Sequence, residues 1–238
     1  MSSADNARYY DAFARRYDEG RDRGYHRLID DQAAAIVQRV GEGRSLLEVG
    51  CGTGLVMQRV ARFARDVEGT DVSPGMLEHA RARGLSVQLA SATALPFADA
   101  SFDVVYSFKV LAHIGPIDTA LAEMARVTRP GGHMVFDCYN RDSLRYLVKR
   151  LRGPQRTSDS FDEAAIETRF ETVDRATRRA AAHGRVAGID GIRIVTPHPL
   201  MLRLPGVASI GRWLEWRLMR SPLGRFGGFV VLTVQRAR

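Results

Sequence analysis

Leu46-Leu47-Glu48-Val49-Gly50-Cys51-Gly52-Thr53-Gly54 is the stretch that decides the fold. A short apolar run, Ser45 to Val49, has the character of a strand buried in a parallel sheet. It ends in alternating glycines, and a helical pattern follows over 55–64. A glycine turn between a strand and its helix lets backbone approach a ligand closely, where side chains would block it. The spacing Gly50-x-Gly52-x-Gly54 departs from the dinucleotide fingerprint G-x-G-x-x-G, which would need glycine at Leu55. Asp71 ends the next strand, 66–71, and is placed to accept hydrogen bonds from two ribose hydroxyls outside the carboxyl ends of the strands.

Working outward, strand and helix keep alternating. Ser73 and Pro74 read as N-cap and first helical residue. Strands are expected at 86–89, 102–107 and 133–137, with a helix over 116–128. Upstream, apolar residues at helical spacing (Tyr9, Tyr10, Phe13, Tyr17, then Leu28 to Val40) predict two helices within 5–41. Downstream, 141–152 reads as a helix, 153–162 as a polar connection and 172–183 as a helix. A sixth strand is expected near 189–195, an insertion opens at Pro197, Pro199 and Pro205, and a last strand covers 229–234. This order implies an α/β fold with right-handed crossovers.

Composition narrows the class. With 45% apolar and 26% charged residues in 238, the chain is an ordinary globular protein rather than a disordered one. Two cysteines make no disulfide framework, and no zinc-ligand spacing occurs. The polar first 20 residues lack a signal-peptide core and no apolar run spans a membrane, so a cytoplasmic location is expected. Charge is uneven: residues 1–140 carry 16 Lys and Arg against 18 Asp and Glu, whereas 141–238 carry 19 against 9. A basic half can attract polyanions, or it can simply be solvated arginine.

Five collinear stretches resemble class I S-adenosylmethionine-dependent methyltransferases, in the quinone-biosynthesis-like, type 11 branch. Leu46 to Gly54 resembles their first motif and Gly69-Thr70-Asp71-Val72-Ser73-Pro74-Gly75-Met76-Leu77 their second. The stretches 95–105 (LPF…FDVV) and 126–132 (R-x-x-x-PGG) are similar to two later ones, and 10–18 to the N-terminal Y-D-x-x-A-x-x-Y-D helix. The resemblance implies a Rossmann-like fold, a mostly parallel seven-stranded sheet with helices on both faces. It implies a single domain over 1–238: a helical cap at 1–43, a cofactor-binding core at 44–140, and a C-terminal half with a substrate-side insertion near 197–226. The implied cofactor is S-adenosyl-L-methionine. Glu48 and the turn (Gly50, Cys51, Gly52, Thr53, Gly54) would hold its methionine end, Asp71 its ribose, and Val72 and Met76 its adenine. Tyr17 would close over it and Ser107 would lie beside the methionine moiety. The family commonly has Asp at the position of Ser91; here Ser91 and the backbone at Ala92 would meet the adenine amino group without charge assistance.

Methyl transfer from a sulfonium is an in-line displacement, so proximity and alignment dominate. A base is needed only if the acceptor loses a proton, and His113, after the fourth strand, is the candidate. A helix-start histidine that only packs is the other reading of it; Lys109 and Tyr139 are further candidates. The expected acceptor is a small, possibly apolar metabolite methylated at oxygen or carbon. RNA methylation and a non-catalytic cofactor-binding regulator are the alternatives, although no nucleic-acid appendage or stacking platform is visible. On a helix near 207–218, Val207, Ile210, Trp213, Leu214 and Leu218 can share one face. Packing on the sheet or at a dimer interface is expected of that face, with a lid or peripheral membrane contact as the functional alternatives.

Overall fold

The computed structural model describes residues 8–11, 14, 16–21, 23–152, 156–158, 161–162, 168–196 and 206–237. Phe13 and the three prolines at 197, 199 and 205 lie outside the described residues. Among the described residues ten strands form: β1 (Ser45–Val49), β2 (Asp66–Asp71), β3 (Ser86–Leu89), β4 (Phe102–Ser107), β5 (Thr128–Asn140), β6 (Arg156–Ser158), β7 (Phe161–Asp162), β8 (Phe170–Glu171), β9 (Arg185–Ile192) and β10 (Phe229–Gln235). The main sheet has the order β3-β2-β1-β4-β5-β10-β9. Its first five strands are parallel, and β10 runs antiparallel to both β5 and β9. The expected seven-stranded, mostly parallel sheet is therefore present, and the two-residue β8 adds an eighth strand beside β5. β6 and β7 pair apart from it, within the stretch read as a polar connection.

Strand alternation sends neighbouring residues to opposite faces. Leu47, Val105, Met134 and Val230 pack with Leu121 and Met124 of α4 (Ile117–Val127) and Ala176 of α6 (Val173–Ala181). Their neighbours Leu46, Val104, Val135 and Val231 pack with Leu28, Ile36 and Val37 of α1 (Gly24–Gly41). β1 is buried along its whole length, as a central parallel strand must be. Between β1 and β2, α2 is regular only over Met57–Val60, because three-residue turns (Arg59 N–H to Val56 O, Arg62 N–H to Arg59 O) interrupt the pattern read over 55–64. α3 (Pro74–Ala82) starts as its sequence implies, with Ser73 Oγ accepting from Met76 N–H at 3.2 Å. α5 (Leu144–Arg152) follows β5.

Two expectations are corrected by one residue. β9 stops at Ile192 instead of reaching 195, and α7 (Val207–Leu218) does not turn its apolar face inward. Glu215, fully buried on α7, accepts the N–H groups of Ile194, Val195 and Thr196 at 2.9 Å and the Thr196 hydroxyl at 2.7 Å. Buried backbone donors need partners, and a carboxylate supplies them where the strand ladder ends. That anchor fixes the helix rotation. Ala208 and Glu215 are buried, Leu214 and Leu218 half-buried, and Val207, Ile210 and Trp213 exposed.

Candidate active site

The glycine turn leaves β1 with its backbone tied to β2: Gly50 and Cys51 N–H both reach Thr70 O, at 2.7 and 2.9 Å. Gly50 has φ +76°, and a Cβ there would sit 2.4 Å from Val110 Cγ2, so only glycine lets the turn pass. Asp71 closes the arrangement. Its carboxylate accepts Gly52 N–H and Ser73 N–H, each at 2.9 Å. Burial raises its pKa, and the backbone donors of Ser73, Gly52 and Val72 oppose that rise. A carboxylate has about four acceptor sites, so capacity for a ligand hydroxyl stays beside these backbone donors.

Together these groups line one cavity of about 300 Å³ at the carboxyl ends of β1, β2 and β4. On one side lie Val72, Met76, Ser91, Ala92 and Thr93. Ser91 Oγ is already paired with Thr93 Oγ1 at 2.8 Å. On the other side lie Lys109, His113, Ile114 and Tyr139. His113 packs edge-on to Tyr139, with ring centroids 5.5 Å apart. Burial pushes the Tyr139 hydroxyl up to about 12, with Arg145 opposing.

Glu48 lies at the floor, buried within β1, with Tyr106 Oη donating to its Oε2 at 3.1 Å. Burial pushes its carboxyl up to about 8, against the Tyr106 hydrogen bond and the Lys109 charge. Lys109, at φ +62°, gives its N–H to Asp137 Oδ1 and its Nζ to Asp30 Oδ1, both at 2.8 Å. Asp137 thus caps the backbone of the Lys109 turn, and burial lifts its carboxyl to about 6.

The roof is formed by described residues between Tyr10 and Arg21, and both aspartates of the Y-D…Y-D pattern fasten it. Asp11 Oδ1 accepts Ser73 Oγ at 2.5 Å and Gly75 N–H at 2.8 Å. Asp18 accepts Thr53 Oγ1 at 2.7 Å and pairs with Arg83 Nη2 at 2.6 Å. Tyr10, Tyr17 and Arg21 thereby line the cavity from above, with the Arg21 guanidinium 3.8 Å over the Tyr17 ring. Removing both fasteners (Asp11→Ala with Asp18→Ala) is expected to speed proteolysis within 8–21 about tenfold or more, about 1.4 kcal/mol of local opening, with little change in global unfolding.

The comparisons with known proteins agree on one family. Residues 47–136 match the family model described as a methyltransferase domain. The demethylmenaquinone methyltransferase of Mycobacterium sp. (strain JLS) is 38% identical over 175 residues, covering 67% of this chain and 74% of that protein. The ubiquinone biosynthesis O-methyltransferase of Alkalilimnicola ehrlichii is 33% identical over 153 residues, covering 60% and 62%. The chain belongs to the S-adenosylmethionine-dependent methyltransferase family. Among solved structures, a S-adenosylmethionine-dependent methyltransferase of Thermotoga maritima, described as a possible histamine N-methyltransferase, superposes with a TM-score of 0.70 at 19% identity over 96% of this chain and 98% of that one. That likeness concerns the fold. The chain spans about half to two thirds of the length of the first curated relatives it matches.

In this chain, fourteen positions singled out from sequence line the cavity: Tyr17, Glu48, Gly50, Cys51, Gly52, Thr53, Asp71, Val72, Met76, Ser91, Ala92 and His113, with Lys109 and Tyr139. Two do not. Ser107 is fully buried and donates to Val49 O at 2.8 Å, joining β4 to β1. Gly54, at φ +83°, faces away: a Cβ there would meet Leu85 Cδ1 at 2.3 Å, so its role is helix packing. The sequence reading passed over Tyr10, Arg21 and Asp30. Asp30, 1% exposed on α1, turns Oδ2 into the cavity wall with no hydrogen-bond partner among the described residues. An aspartate among the mostly apolar buried residues of α1 was the available signal.

Proposed function

We propose that this chain binds S-adenosylmethionine in the 300 Å³ cavity and transfers its methyl group to a small, lipophilic acceptor at oxygen or carbon, in the cytoplasm. The observation that carries this reading is Asp71, which links the glycine turn to α3 while keeping acceptor capacity toward the cavity. The residues present fit the cofactor: Asp71 matches a ribose diol, buried Glu48 an ammonium group, and Val72 with Met76 a flat apolar ring. When bound, the cofactor supplies a sulfonium-activated methyl group. This chain's residues hold the reactants in line and exclude water, which is where most of the acceleration of such a displacement arises. Two buried free thiols, Cys51 and Cys138, suit a reducing compartment. Among the described residues no helix is long and apolar enough to cross a membrane.

His113 and Tyr139 border the end of the cavity away from Met76 and Ser91. We assign His113 the removal of the acceptor proton. Turnover of a catechol or hydroquinone is expected to fall about 10²-fold in His113→Ala, with S-adenosylhomocysteine affinity unchanged by calorimetry. Equal turnover in both proteins removes His113 from the chemistry. Tight S-adenosylhomocysteine binding with no methyl transfer to any acceptor supports a regulatory binding protein. NAD binding in its place would overturn the whole reading.

Glu48 gives the site a pH signature. With its carboxyl near 8 in the free protein, it is largely protonated at pH 7, and an ammonium ligand favours the ionised form. Affinity for S-adenosylhomocysteine should therefore rise between pH 7 and 8 and level off above. Close to one proton should be released per ligand at pH 7. Calorimetry in buffers of different ionisation enthalpy measures that release, and Glu48→Gln abolishes it.

A further inference from the structure

Ten large apolar side chains stand exposed among the described residues, and eight of them lie at 144–147 and 207–226. Leu144 and Leu147 on α5 are 50% and 52% exposed; Ile210 and Trp213 on α7 reach 62% and 61%. Val207, Trp216, Leu223 and Phe226 complete the set. These segments adjoin. Ser221 N–H donates to Leu218 O at 2.9 Å, bringing the turn at Pro222–Phe226 under the end of α7. Asn140, four residues before Leu144, donates through Nδ2 to Arg225 O and Gly227 O at 2.8 and 2.9 Å. Exposed apolar residues scattered singly need no account, but a contiguous patch marks a surface that something covers.

The charges that α7 and the turn after it present to solvent have one sign. Arg212, Arg217, Arg220 and Arg225 are all exposed, and the one acid in 206–228, Glu215, is buried with its carboxylate spent on the 194–196 backbone. Among the described residues, Asp142 and Asp174 are exposed acids beside the patch, and Asp174 lies 3.9 Å from Arg225. A second copy of this chain would bring arginines against arginines across a two-fold axis. A surface that is anionic at its rim and apolar beneath fits both halves of the pattern, and tryptophan is the side chain that settles at such a boundary.

We propose that the outward face of α7, with the Pro222–Phe226 turn and the start of α5, docks on an anionic lipid bilayer. The patch flanks the cavity: the Arg145 guanidinium on α5 lies 5.2 Å over the Tyr139 ring that lines it. On the other side Gln32, two residues from Asp30, donates to Glu215 O at 3.2 Å. Docking would hold the substrate end of the site against the phase in which a lipophilic acceptor dissolves. The surface itself stands whatever the acceptor is, and its test uses no cofactor.

The chain contains two tryptophans, Trp213 and Trp216, and both sit on this face, so intrinsic emission reports it directly. The protein should co-float with phosphatidylcholine vesicles containing about 30% phosphatidylglycerol and be released by about 1 M salt, where the Debye length is about 3 Å. Its emission should shift to the blue on those vesicles and be quenched by brominated acyl chains. Each of Arg212→Gln, Arg217→Gln and Arg220→Gln should weaken partitioning about fivefold. Ile210→Ser with Trp213→Ser should weaken it tenfold or more, leave the unfolding temperature unchanged, and keep Trp216 as reporter. Unshifted emission with no co-flotation overturns the proposal, as does equal binding to pure phosphatidylcholine. A blue shift that grows with protein concentration alone, with a dimer mass in solution, overturns it in favour of a second copy.

Discussion

Replacing Asp71 with Ala should abolish measurable S-adenosylhomocysteine binding, and replacing it with Asn should weaken binding by about two orders of magnitude. The difference follows from what the carboxylate already does. It accepts Gly52 N–H and Ser73 N–H at 2.9 Å, holding the glycine turn and the α3 N-terminus in fixed relation. Hydrogen bonds to a charged acceptor contribute about 1.5–3 kcal/mol each. Two ribose hydroxyls on the same group thus correspond to about 3 kcal/mol or more, a factor above 10² in affinity. Asn keeps one oxygen acceptor and can retain part of the turn geometry, whereas Ala frees both backbone donors. Thermal unfolding separates the effects: Asn should lose affinity at nearly unchanged stability, and Ala should lose both. Unchanged affinity in Asp71→Asn would remove Asp71 from the ligand contact.

Glu215→Ala should be among the most destabilising single changes in the chain. The carboxylate accepts three backbone N–H groups and one hydroxyl in a buried setting. Leaving buried donors unsatisfied costs about 1–3 kcal/mol each, and relaxation of the 194–196 segment recovers part of it, so a net loss of about 3–5 kcal/mol is expected. Glu215→Gln, which keeps an oxygen acceptor but adds two donors, should fall between. Denaturant unfolding measures the series. Emission from Trp213 and Trp216 should respond before the global transition in Glu215→Ala, because α7 loses its anchor while the sheet persists.

The same residue explains where the sequence ceased to be legible. Parallel strands and the glycine turn could be read because apolar runs and glycine spacing are local signals, and the strand order follows from the alternation they set. The cavity lining was legible where it lay on those turns. Tyr10, Arg21 and Asp30 were not, because their place in the site depends on how α1 and the N-terminal stretch pack over β1 and β4. On α7 the apolar periodicity was real but pointed outward. A helical face can be read from spacing; which way it points was decided by one carboxylate and three unpaired backbone groups about twenty residues away. Ser107 was misplaced for a related reason: the strand end was legible, but not that its hydroxyl would turn back to Val49.

The fastened roof bears on the pace of the reaction cycle. Asp11 ties it to the Ser73 turn and Asp18 to Thr53 and Arg83, so each tether ends on one of the two turns proposed to grip the cofactor. Opening the cavity on that side breaks the carboxylate contacts of both Asp11 and Asp18. Such a two-point latch slows entry and exit alike, leaving affinity untouched while lengthening residence.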